Sequence, residues 1–378
     1  MKKGWQTKKL REVCELVNGR AYSKSELLAA GKYRVLRVGN FFTNDHWYYS
    51  DMELEEKKYC DTGDLLYAWS ASFGPRMWTG GKVIYHYHIW KVVHDSTQID
   101  QKFLCYFFQW DTEKIKEDQG TGTTMMHVSM GSMNERDIDL PPLAEQQRIV
   151  GLLDEAFEGL ATAKANAEKN LQNARALFES HLQSVFAQRG PGWVEKSLVD
   201  VCTFINGRAY KKEEMLSVGK YPLLRVGNFF TNRDWYYSDL ELDADKYCDN
   251  GDLLYAWSAS FGPRVWDGGK VIYHYHIWKV LPHATVVEKR FLLHLLEWDV
   301  DEIKKAHGTG TTMMHVSKGS MESRVAPIPP LKAQVAIASM LDDLREETQR
   351  LARLYERKQA ALEALKKSLL HQAFTGEL

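Results

Sequence analysis

The segment Gly63-Asp64-Leu65-Leu66-Tyr67-Ala68-Trp69-Ser70-Ala71-Ser72-Phe73-Gly74-Pro75-Arg76 occurs twice, because it returns unchanged at Gly251–Arg264. Gly80–Val92 returns in the same way at Gly268–Val280. The offset is 188 positions (251 − 63 = 188), and it holds over Trp5–Phe186 against Trp193–Phe374 without insertion or deletion. Such a tandem duplication predicts two copies of one fold in a pseudo-symmetric molecule, which suits a target that is itself repeated or two-fold symmetric.

The first part of each repeat, residues 1–142 and 189–330, is rich in β-branched and aromatic residues with Gly and Asn turns. The patterns at 36–38, 64–69 and 82–92 predict strands. The run 103–108 predicts a buried helix that ends near Trp110. Each of these parts is therefore expected to form a mixed α/β lobe.

The second part of each repeat has the pattern of a long amphipathic helix. Residues 143–186 contain no proline and two glycines, and apolar residues recur there at three- and four-residue steps, as they do after Pro329-Pro330. At about 1.5 Å per residue each helix would be roughly 60 Å long, so the natural partner of each apolar stripe is the other helix. The short linker at 188–192 favours antiparallel pairing.

Together these patterns predict an α+β protein. Two pseudo-two-fold-related mixed α/β domains, at 1–142 and 189–330, would be joined by two long helices, at 143–188 and 331–378, which form an antiparallel coiled coil. The proline pairs Pro141-Pro142 and Pro329-Pro330 would mark the start of each helix.

Composition narrows the class of protein. The chain has 378 residues and a formal net charge of −1, and each lobe carries equal numbers of basic and acidic residues. Binding to nucleic acid would therefore need local basic patches or partner subunits. No apolar run approaches the roughly 20 residues that span a bilayer, and no secretory signal is visible. Five cysteines without CxxC spacing favour reduced thiols and a cytoplasmic location.

Motifs for catalysis are missing from the sequence. There is no P-loop, no Gly-rich dinucleotide or S-adenosylmethionine fingerprint, no GxSxG and no HExxH. A hydrolase built on Asp299, Glu302 and Lys304 is disfavoured, because the other repeat does not preserve that set. A metal pair at His86-x-His88 is also disfavoured: on one continuous strand the two rings would share a mostly apolar face, and no zinc-type cluster accompanies them. The sequence predicts a non-enzyme without a metal.

Four polar loops recur in both copies and carry the chemistry of DNA contact. They are the segment 18–24, the Asn-rich turn 40–44, and the loops 70–76 and 120–129. Arginine, serine and backbone groups suit guanine edges, and small donors suit phosphates. The alternatives are a hairpin whose Arg76 makes a surface salt bridge, and a structural glycine turn capped by threonines.

The candidate DNA-contacting residues share these loops and recur in both repeats. In the first repeat they are Arg20, Tyr22, Lys24, Asn40, Asn44, Ser70, Ser72, Phe73, Arg76, Thr123, Thr124 and His127. In the second they are Arg208, Tyr210, Lys212, Asn228, Asn232, Ser258, Ser260, Phe261, Arg264, Thr311, Thr312 and His315.

Three segments carry a resemblance to a known family. They are Gly63-Asp64-Leu65-Leu66 followed by Gly74, Gly120-Thr121-Gly122-Thr123-Thr124 leading to His127-Val128-Ser129, and Leu140-Pro141-Pro142-Leu143-Ala144-Glu145-Gln146-Gln147-Arg148-Ile149-Val150. With them the chain resembles type I restriction–modification DNA specificity subunits over essentially its whole length. The second copy of the last segment keeps Gln334 and Ile337 but has Ala333 in place of the glutamate.

This resemblance implies a function and a set of partners. Two target-recognition domains would each read half of a split site on double-stranded DNA, while the coil sets the spacer and docks two methyltransferase subunits. The docking residues it implies are Glu145, Gln146, Gln147, Ile149, Gln334 and Ile337. The chain itself would be non-catalytic and hold no cofactor. S-adenosylmethionine, Mg and ATP would belong to the methyltransferase and restriction/translocase subunits, and the methyltransferase would flip and methylate adenine.

The near-identity of the lobes sharpens this expectation. Two recognition domains with the same contact loops, related by a two-fold axis, would bind identical half-sites in inverted orientation. We therefore expect an interrupted palindrome with about three or four base pairs per side. The alternative is a non-catalytic protein–protein scaffold with duplicated ligand-binding lobes.

Overall fold

The computed structural model describes residues 4–43, 45–70, 73–119, 127–231, 234–258, 261–307 and 315–378, with the backbone alone at 118–119 and 306–307. The chain divides into two compact units. Unit 1 comprises Met1–Glu168 with Arg357–Leu378, and unit 2 comprises Lys169–Glu356. Each unit therefore takes helical residues from both repeats.

The first repeat forms strands and helices with the following bounds. The strands are β1 (Gln6–Lys9), β2 (Cys14–Asn18), β3 (Tyr33–Leu36), β4 (Tyr48–Ser50), β5 (Tyr59–Cys60), β6 (Leu65–Ala68), β7 (Gly74–Met77), β8 (Val83–Tyr85), β9 (Ile89–His94) and β10 (Asp137–Leu140). The helices are α1 (Val38–Phe42), α2 (Gln101–Gln119), α3 (Met130–Asn134) and α4 (Leu143–Gln188), with short 3₁₀ turns at Leu10–Glu12, Lys24–Glu26 and Glu56–Lys58.

The second repeat repeats this order. Its strands are β11 (Val194–Ser197), β12 (Cys202–Asn206), β13 (Tyr221–Leu224), β14 (Tyr236–Ser238), β15 (Tyr247–Cys248), β16 (Leu253–Ala256), β17 (Gly262–Val265), β18 (Val271–Tyr273), β19 (Ile277–Pro282) and β20 (Val325–Ile328). Its helices are α5 (Leu198–Val201), α6 (Val226–Phe230), α7 (Lys289–His307), α8 (Lys318–Glu322) and α9 (Leu331–Thr375), with 3₁₀ turns at Lys212–Glu214 and Ala244–Lys246.

Three small sheets build the described part of each lobe. In unit 1 one sheet is antiparallel and has the strand order β2-β9-β6-β7. A second sheet has the order β4-β3-β8-β5, in which β3 and β8 are parallel, and a third consists of β1 and β10. Strand β6 is buried along its whole length, as expected for a continuous apolar run inside a sheet. Unit 2 has the same strand orders. The predicted α+β class is confirmed.

Three local predictions were wrong. The run 82–92 is not one strand, because β8 ends at Tyr85 and β9 begins at Ile89, with a turn at 86–88. The segment 36–38 is not a strand either: β3 ends at Leu36 and α1 begins at Val38. Helix α2 extends to Gln119, beyond the predicted end near Trp110, because Ile115 continues its buried face.

The long helices begin directly after the proline pairs, at Leu143 and Leu331. In unit 1, Arg148 Nη2 donates to the Leu378 carbonyl at 3.0 Å, and Lys164 pairs with Glu363 at 2.5 Å. The partner number falls as the α4 number rises, so α4 and α9 run antiparallel there, as predicted.

Unit 2 shows the same direction of pairing. Arg175 pairs with Glu356 at 2.8 Å, and the Arg345 guanidinium lies over the Phe178 ring at 4.5 Å. The helices are thus held to each other within each unit by contacts between their side chains.

Aromatic side chains pack each lobe against the end of the long helix of the opposite repeat. In unit 1, the Phe374 ring packs on Phe103, Phe107 and Trp110 at centroid distances of 5.1, 5.6 and 5.4 Å. In unit 2, Phe186 takes the equivalent place. Both phenylalanines are buried, and burial of such a ring is worth about 1.5–3 kcal/mol.

Candidate nucleic-acid interface

The β8–β9 turn places an aromatic cluster on the surface of unit 1. The Tyr87 ring lies 3.9 Å from the His88 ring and 5.9 Å from Trp69 at the end of β6, measured between centroids. Trp69 Nε1 donates to the Tyr87 carbonyl at 2.7 Å, which fixes the turn. Tyr87 is nevertheless 38% exposed.

Two predicted DNA-contacting residues border this cluster. Ser70 and His127 form an isolated backbone bridge, so the loop after β6 and the segment before α3 meet beside Trp69. His127 is exposed and Ser70 is half-buried. The structure thus brings together Ser70 and His127, which the sequence predicted, with Tyr87 and His88, which it did not.

Unit 2 carries the same cluster with nearly the same dimensions. Tyr275 lies 3.9 Å from His276 and 5.8 Å from Trp257, and Tyr275 is also 38% exposed. Ser258 and His315 form the equivalent bridge. The two lobes therefore present the same rings at this place, although Ser258 is buried where Ser70 is half-buried.

The pKa values of the histidines in the turn lie below the usual range. Burial, together with the nearby His88 and Arg37, lowers the pKa of His86 to about 4, and burial and Arg37 also lower the pKa of His88. In unit 2 burial, His276 and Arg225 lower the pKa of His274 to about 4. A neutral imidazole has one donor and one acceptor nitrogen, which suits base edges better than phosphates.

The predicted contacts Arg20 and Arg208 are held inside their own lobes. Arg20 Nη2 donates to Glu26 Oε1 at 2.7 Å, and its guanidinium lies 5.2 Å from the Tyr22 ring centroid. Hydrogen bonds from Arg20 and from the Ser23 backbone lower the pKa of Glu26 to about 2. The Arg208–Glu214 pair repeats this arrangement beside Tyr210. Lys24 and Lys212, in the adjoining turns, are exposed.

Arg76 and Arg264 differ in their surroundings although their loops are identical in sequence. Each donates from Nη1 to a backbone carbonyl, that of Phe41 or of Phe229. Arg264 also pairs with Asp267 at 3.2 Å, and the position equivalent to Asp267 is Thr79. The salt bridge considered for Arg76 is thus seen in the second repeat.

The other predicted contacts have varied positions. The side-chain amides of Asn40 and Asn228 donate to the carbonyls of His46 and Asp234, at 2.7 and 2.8 Å, and close the turns after α1 and α6. Phe73 is buried and Phe261 is half-buried. The remaining candidates lie outside the described residues: Asn44, Ser72, Thr123, Thr124, Asn232, Ser260, Thr311 and Thr312.

A basic cleft of about 620 Å³ lies in unit 1 between the hairpin after Phe73, helix α2 and the end of α9. Arg76, Lys116, Lys366 and Lys367 line it, with Glu113 and Glu363 as the acidic residues. Four cations against two carboxylates give a locally positive surface in a chain whose net charge is close to zero. This is the kind of local patch that the neutral composition required.

The residues implied to dock a methyltransferase divide into two groups. Gln146 and Gln334 are fully buried, and Ile149 is 1% exposed, so these three side chains lie inside the units, while Ile337 is half-buried. Gln147 is exposed, and the half-buried Glu145 forms a two-pronged ion pair with Arg148 at 2.8 Å. The second repeat has alanine at both positions of that pair, Ala333 and Ala336.

The described residues include no cluster of three or more His, Cys, Asp or Glu side chains that could hold a metal ion. The five cysteines are buried and unpaired, and burial raises the pKa of Cys105 to about 11 and that of Cys14 to about 12. Asp299 of the disfavoured hydrolase set is paired with Arg324 at 2.5 Å. In the described part of the chain, no helix is both long and apolar enough to cross a membrane.

Comparisons with known proteins agree on one family. The profile described as "Type I restriction modification DNA specificity domain" matches residues 2–171 and again 191–359. The chain is 24% identical over 220 residues to the "Type I restriction enzyme EcoBI specificity subunit" of Escherichia coli, an alignment that covers 58% of this chain and 44% of that protein. It is 22% identical to the "Putative type I restriction enzyme MjaX specificity subunit" of Methanocaldococcus jannaschii, over 99% of this chain and 93% of that protein.

Solved structures show the same fold. A chain from a study entitled "Structural basis underlying complex assembly and conformational transition of the type I R-M system" aligns with a TM-score of 0.82 at 20% identity, over 100% of this chain and 99% of that one. The HsdS subunit of Thermoanaerobacter tengcongensis aligns with a TM-score of 0.62 at 19% identity, over 100% and 98%. With its two matched copies of the specificity domain, the chain belongs to the type I restriction–modification DNA specificity family, whose members are non-catalytic subunits.

Proposed function

We propose that this chain reads a bipartite DNA site as the specificity subunit of a type I methyltransferase complex, each lobe contacting one half-site. The observation that carries the proposal is the duplicated cluster around Tyr87 and Tyr275. Its ring distances agree within 0.1 Å between the units. Two readers of equal shape and chemistry suit two equal half-sites.

The turn residues would do part of the reading. Exposed aromatic rings can stack on bases or pack on the thymine methyl, while neutral histidines can pair with base edges. The exposed Arg37 guanidinium lies over the Tyr48 ring at 5.2 Å and is close enough to lower the pKa of both turn histidines. It therefore supplies a cation at the edge of the cluster for a phosphate.

The basic cleft supports a role in holding the DNA backbone. Lys116 and Lys367 share the single carboxylate of Glu113, so the cleft keeps an excess of positive charge that suits a DNA backbone without sequence preference. The methyltransferase partners would supply the rest of the phosphate clamp, because each lobe has no excess of positive charge.

Docking of two methyltransferase subunits is assigned to the exposed side of each helix start. The Glu145–Arg148 pair and Gln147 are accessible there, whereas Gln146 is not. Because the second repeat lacks the ion pair, the two docking sites would differ in affinity. S-adenosylmethionine, Mg and ATP would be bound by partner subunits in the cytoplasm, with a restriction/translocase subunit as a further partner.

Methylome sequencing of cells that express this chain with its methyltransferase tests the proposal. The expected result is one methylated interrupted palindrome, with about three or four specified base pairs on each side. An asymmetric bipartite motif would show that the few residues that differ, such as Asp267 in place of Thr79, take part in reading. No new methylation, with the partner shown to be active on another specificity subunit, would favour a protein–protein scaffold instead.

A further inference from the structure

Each unit is completed by a helix segment from the opposite repeat. Unit 1 contains lobe one and the start of α4, and it is completed by Arg357–Leu378, here named docking segment 1. Unit 2 contains lobe two and the start of α9, and it is completed by the residues 169–188, here named docking segment 2. The two docking segments occupy equivalent positions of the duplication.

The docking segments share their apolar anchors. Phe374 and Leu370 of segment 1 correspond to Phe186 and Leu182 of segment 2, and all four side chains are buried. The anchors meet equivalent aromatics, since Phe374 stacks on Trp110 and Phe186 stacks on Trp298. These contacts alone would let either segment bind either unit.

Four equivalent positions differ in charge. Lys358 in segment 1 is Asn170 in segment 2. The other three, for which contacts are seen, are Glu363, Lys366 and Lys367 in segment 1, which are Arg175, Phe178 and Glu179 in segment 2. In unit 1, Glu363 pairs with Lys164 at 2.5 Å and Lys367 pairs with Glu113 at 2.7 Å.

The third contact of segment 1 is between a cation and an aromatic ring. The Lys366 ammonium lies 5.2 Å from the centroid of the Phe157 ring. Each of the three side chains therefore meets a group that attracts it.

Unit 2 uses the same positions with other chemistry. Arg175 pairs with Glu356 at 2.8 Å. The Phe178 ring lies 4.5 Å from the Arg345 guanidinium, and Arg345 in turn pairs with Glu297. The residue that corresponds to Arg345 in the first repeat is Phe157, so ring and cation have changed places within a retained contact.

Exchange of the segments would bring like charges together. Segment 2 in unit 1 would place Arg175 against Lys164 and Glu179 against Glu113, with Glu168 as a partial compensation for Arg175. Segment 1 in unit 2 would place Glu363 near Glu356 and Lys366 against Arg345. In unit 2 Glu297 would partly compensate for the charge of Lys366. Asp301, which is equivalent to Glu113, would attract Lys367. Each exchange replaces two attractive contacts by two repulsive ones.

We propose that these charged positions make each unit select the helix segment of the opposite repeat and reject the equivalent segment, whether from this chain or from a second copy. Apolar anchors supply affinity, and flanking charges choose the partner, as in coiled coils. Exposed ion pairs stabilise little individually, but a partner choice depends on the difference between attraction and repulsion.

The test uses the full chain carrying Glu363→Arg, Lys366→Phe and Lys367→Glu, which gives segment 1 the charges of segment 2 while leaving its anchors intact. Amide hydrogen exchange over 357–378 should become about tenfold faster, while exchange over 169–188 stays unchanged as an internal reference. The reciprocal variant, with Arg175→Glu, Phe178→Lys and Glu179→Lys, should show the opposite pattern.

Compensating changes make the result decisive. Adding Gln109→Glu, Glu113→Asp, Phe157→Arg and Lys164→Ala gives unit 1 the receptor residues of unit 2, because Gln109 corresponds to Glu297, and should restore slow exchange. Lys358→Glu, a charge reversal at an exposed α9 position, is the matched control and should have little effect. Unchanged exchange in the triple variant, or no recovery with the receptor changes, would overturn the proposal. Phe374→Ala should also accelerate exchange over 357–378, and the receptor changes in unit 1 should not restore slow exchange in that variant. This difference distinguishes the apolar anchor from the charged positions that select the segment.

Discussion

Replacement of Gln146 by alanine should destabilise unit 1 without changing the exposed side of the α4 start, where we propose that the methyltransferase docks. The side chain is fully buried and makes three hydrogen bonds. Its Oε1 accepts from the Asp100 backbone N–H at 2.8 Å, and its Nε2 donates to the carbonyls of Gln98 and Pro141 at 2.9 and 2.8 Å. Gln146 thus ties the start of α4 to the segment before α2 and to the proline pair.

The magnitude follows from this count. A typical hydrogen bond contributes about 1 kcal/mol net, so loss of three gives about 3 kcal/mol. The alanine would also leave one backbone N–H and two carbonyls without this partner in the interior, which raises the expected loss to about 3–5 kcal/mol. The equivalent change Gln334→Ala should cost the same in unit 2, because Gln334 repeats the three bonds with Glu288, Val286 and Pro329.

Urea unfolding combined with amide hydrogen exchange measures this loss and locates it. Exchange should accelerate at Asp100 and at the start of α4 in Gln146→Ala, and at Glu288 and the start of α9 in Gln334→Ala. The matched control is Gln147→Ala, an exposed neighbour on the same helix turn, which should change stability by less than about 0.5 kcal/mol. Binding to the methyltransferase subunit should instead be weakened by Gln147→Ala.

One result would refute this reasoning. If Gln146→Ala kept its stability within about 1 kcal/mol and lost methyltransferase binding, Gln146 would be a docking residue that becomes exposed in the complex. A loss of stability with methyltransferase binding retained would show that Gln146 stabilises the fold and does not contact the methyltransferase.

Three further predictions concern the reading cluster and the anchor. Tyr87→Ala or Tyr275→Ala should each weaken binding of a cognate duplex by about 1–3 kcal/mol, and a fluorescence titration should show similar losses because the two clusters are alike. The free energy of unfolding should fall as the pH drops from about 6.5 to about 4. Burial lowers the pKa of His86 and His274, so the unfolded chain binds more protons than the folded chain in this range. The urea midpoint of a variant with both His86→Asn and His274→Asn should depend less on pH. Phe374→Ala should destabilise unit 1 by about 3–5 kcal/mol in urea unfolding and leave exchange in unit 2 unchanged.

The long-range organisation could be predicted from the sequence because it depends on repeated patterns. The proline pairs mark both helix starts, and the three- and four-residue apolar steps continue for the whole length of α4 and α9. The short linker was enough to favour antiparallel pairing, which both units show. The crossing of helix segments between the units was not predicted, since equivalent anchors such as Phe186 and Phe374 look the same in sequence.

The reading turn could not be predicted because a tertiary contact breaks the strand. Alternation over 82–92 continues through Tyr87, but the Tyr87 N–H donates to the Arg20 carbonyl and the Arg20 N–H donates to the Tyr85 carbonyl, both at 3.0 Å. Gly19 makes this approach possible, since a Cβ there would lie 2.3 Å from the Tyr85 oxygen. Because the Arg20 backbone pairs with Tyr85 and Tyr87, the chain turns here, and His86 and His88 belong to a surface cluster and not to an apolar layer.

The side-chain partners of the candidate DNA contacts could not be predicted for a similar reason. Arg20 has the residue type and loop context of a DNA contact, yet Glu26, six positions later, pairs with it. No local pattern distinguishes a guanidinium that is paired inside the lobe from one that faces solvent. Arg264 shows the same limit, because Asp267 supplies an ion pair that Thr79, at the equivalent position of the first repeat, cannot offer to Arg76.

The discontinuous make-up of unit 1 has a consequence for synthesis on the ribosome. Unit 2 is one continuous segment, Lys169–Glu356, whereas unit 1 cannot be completed until Arg357–Leu378 has been made. At about 5–20 residues per second, lobe one would wait roughly 10–40 s with the docking face around Phe103, Phe107 and Trp110 uncovered. During that interval the segment 169–188 of neighbouring nascent chains on the same messenger RNA is already present and carries the same apolar anchors. Rejection of that segment by charge would keep newly made chains from joining one another before each one closes on itself.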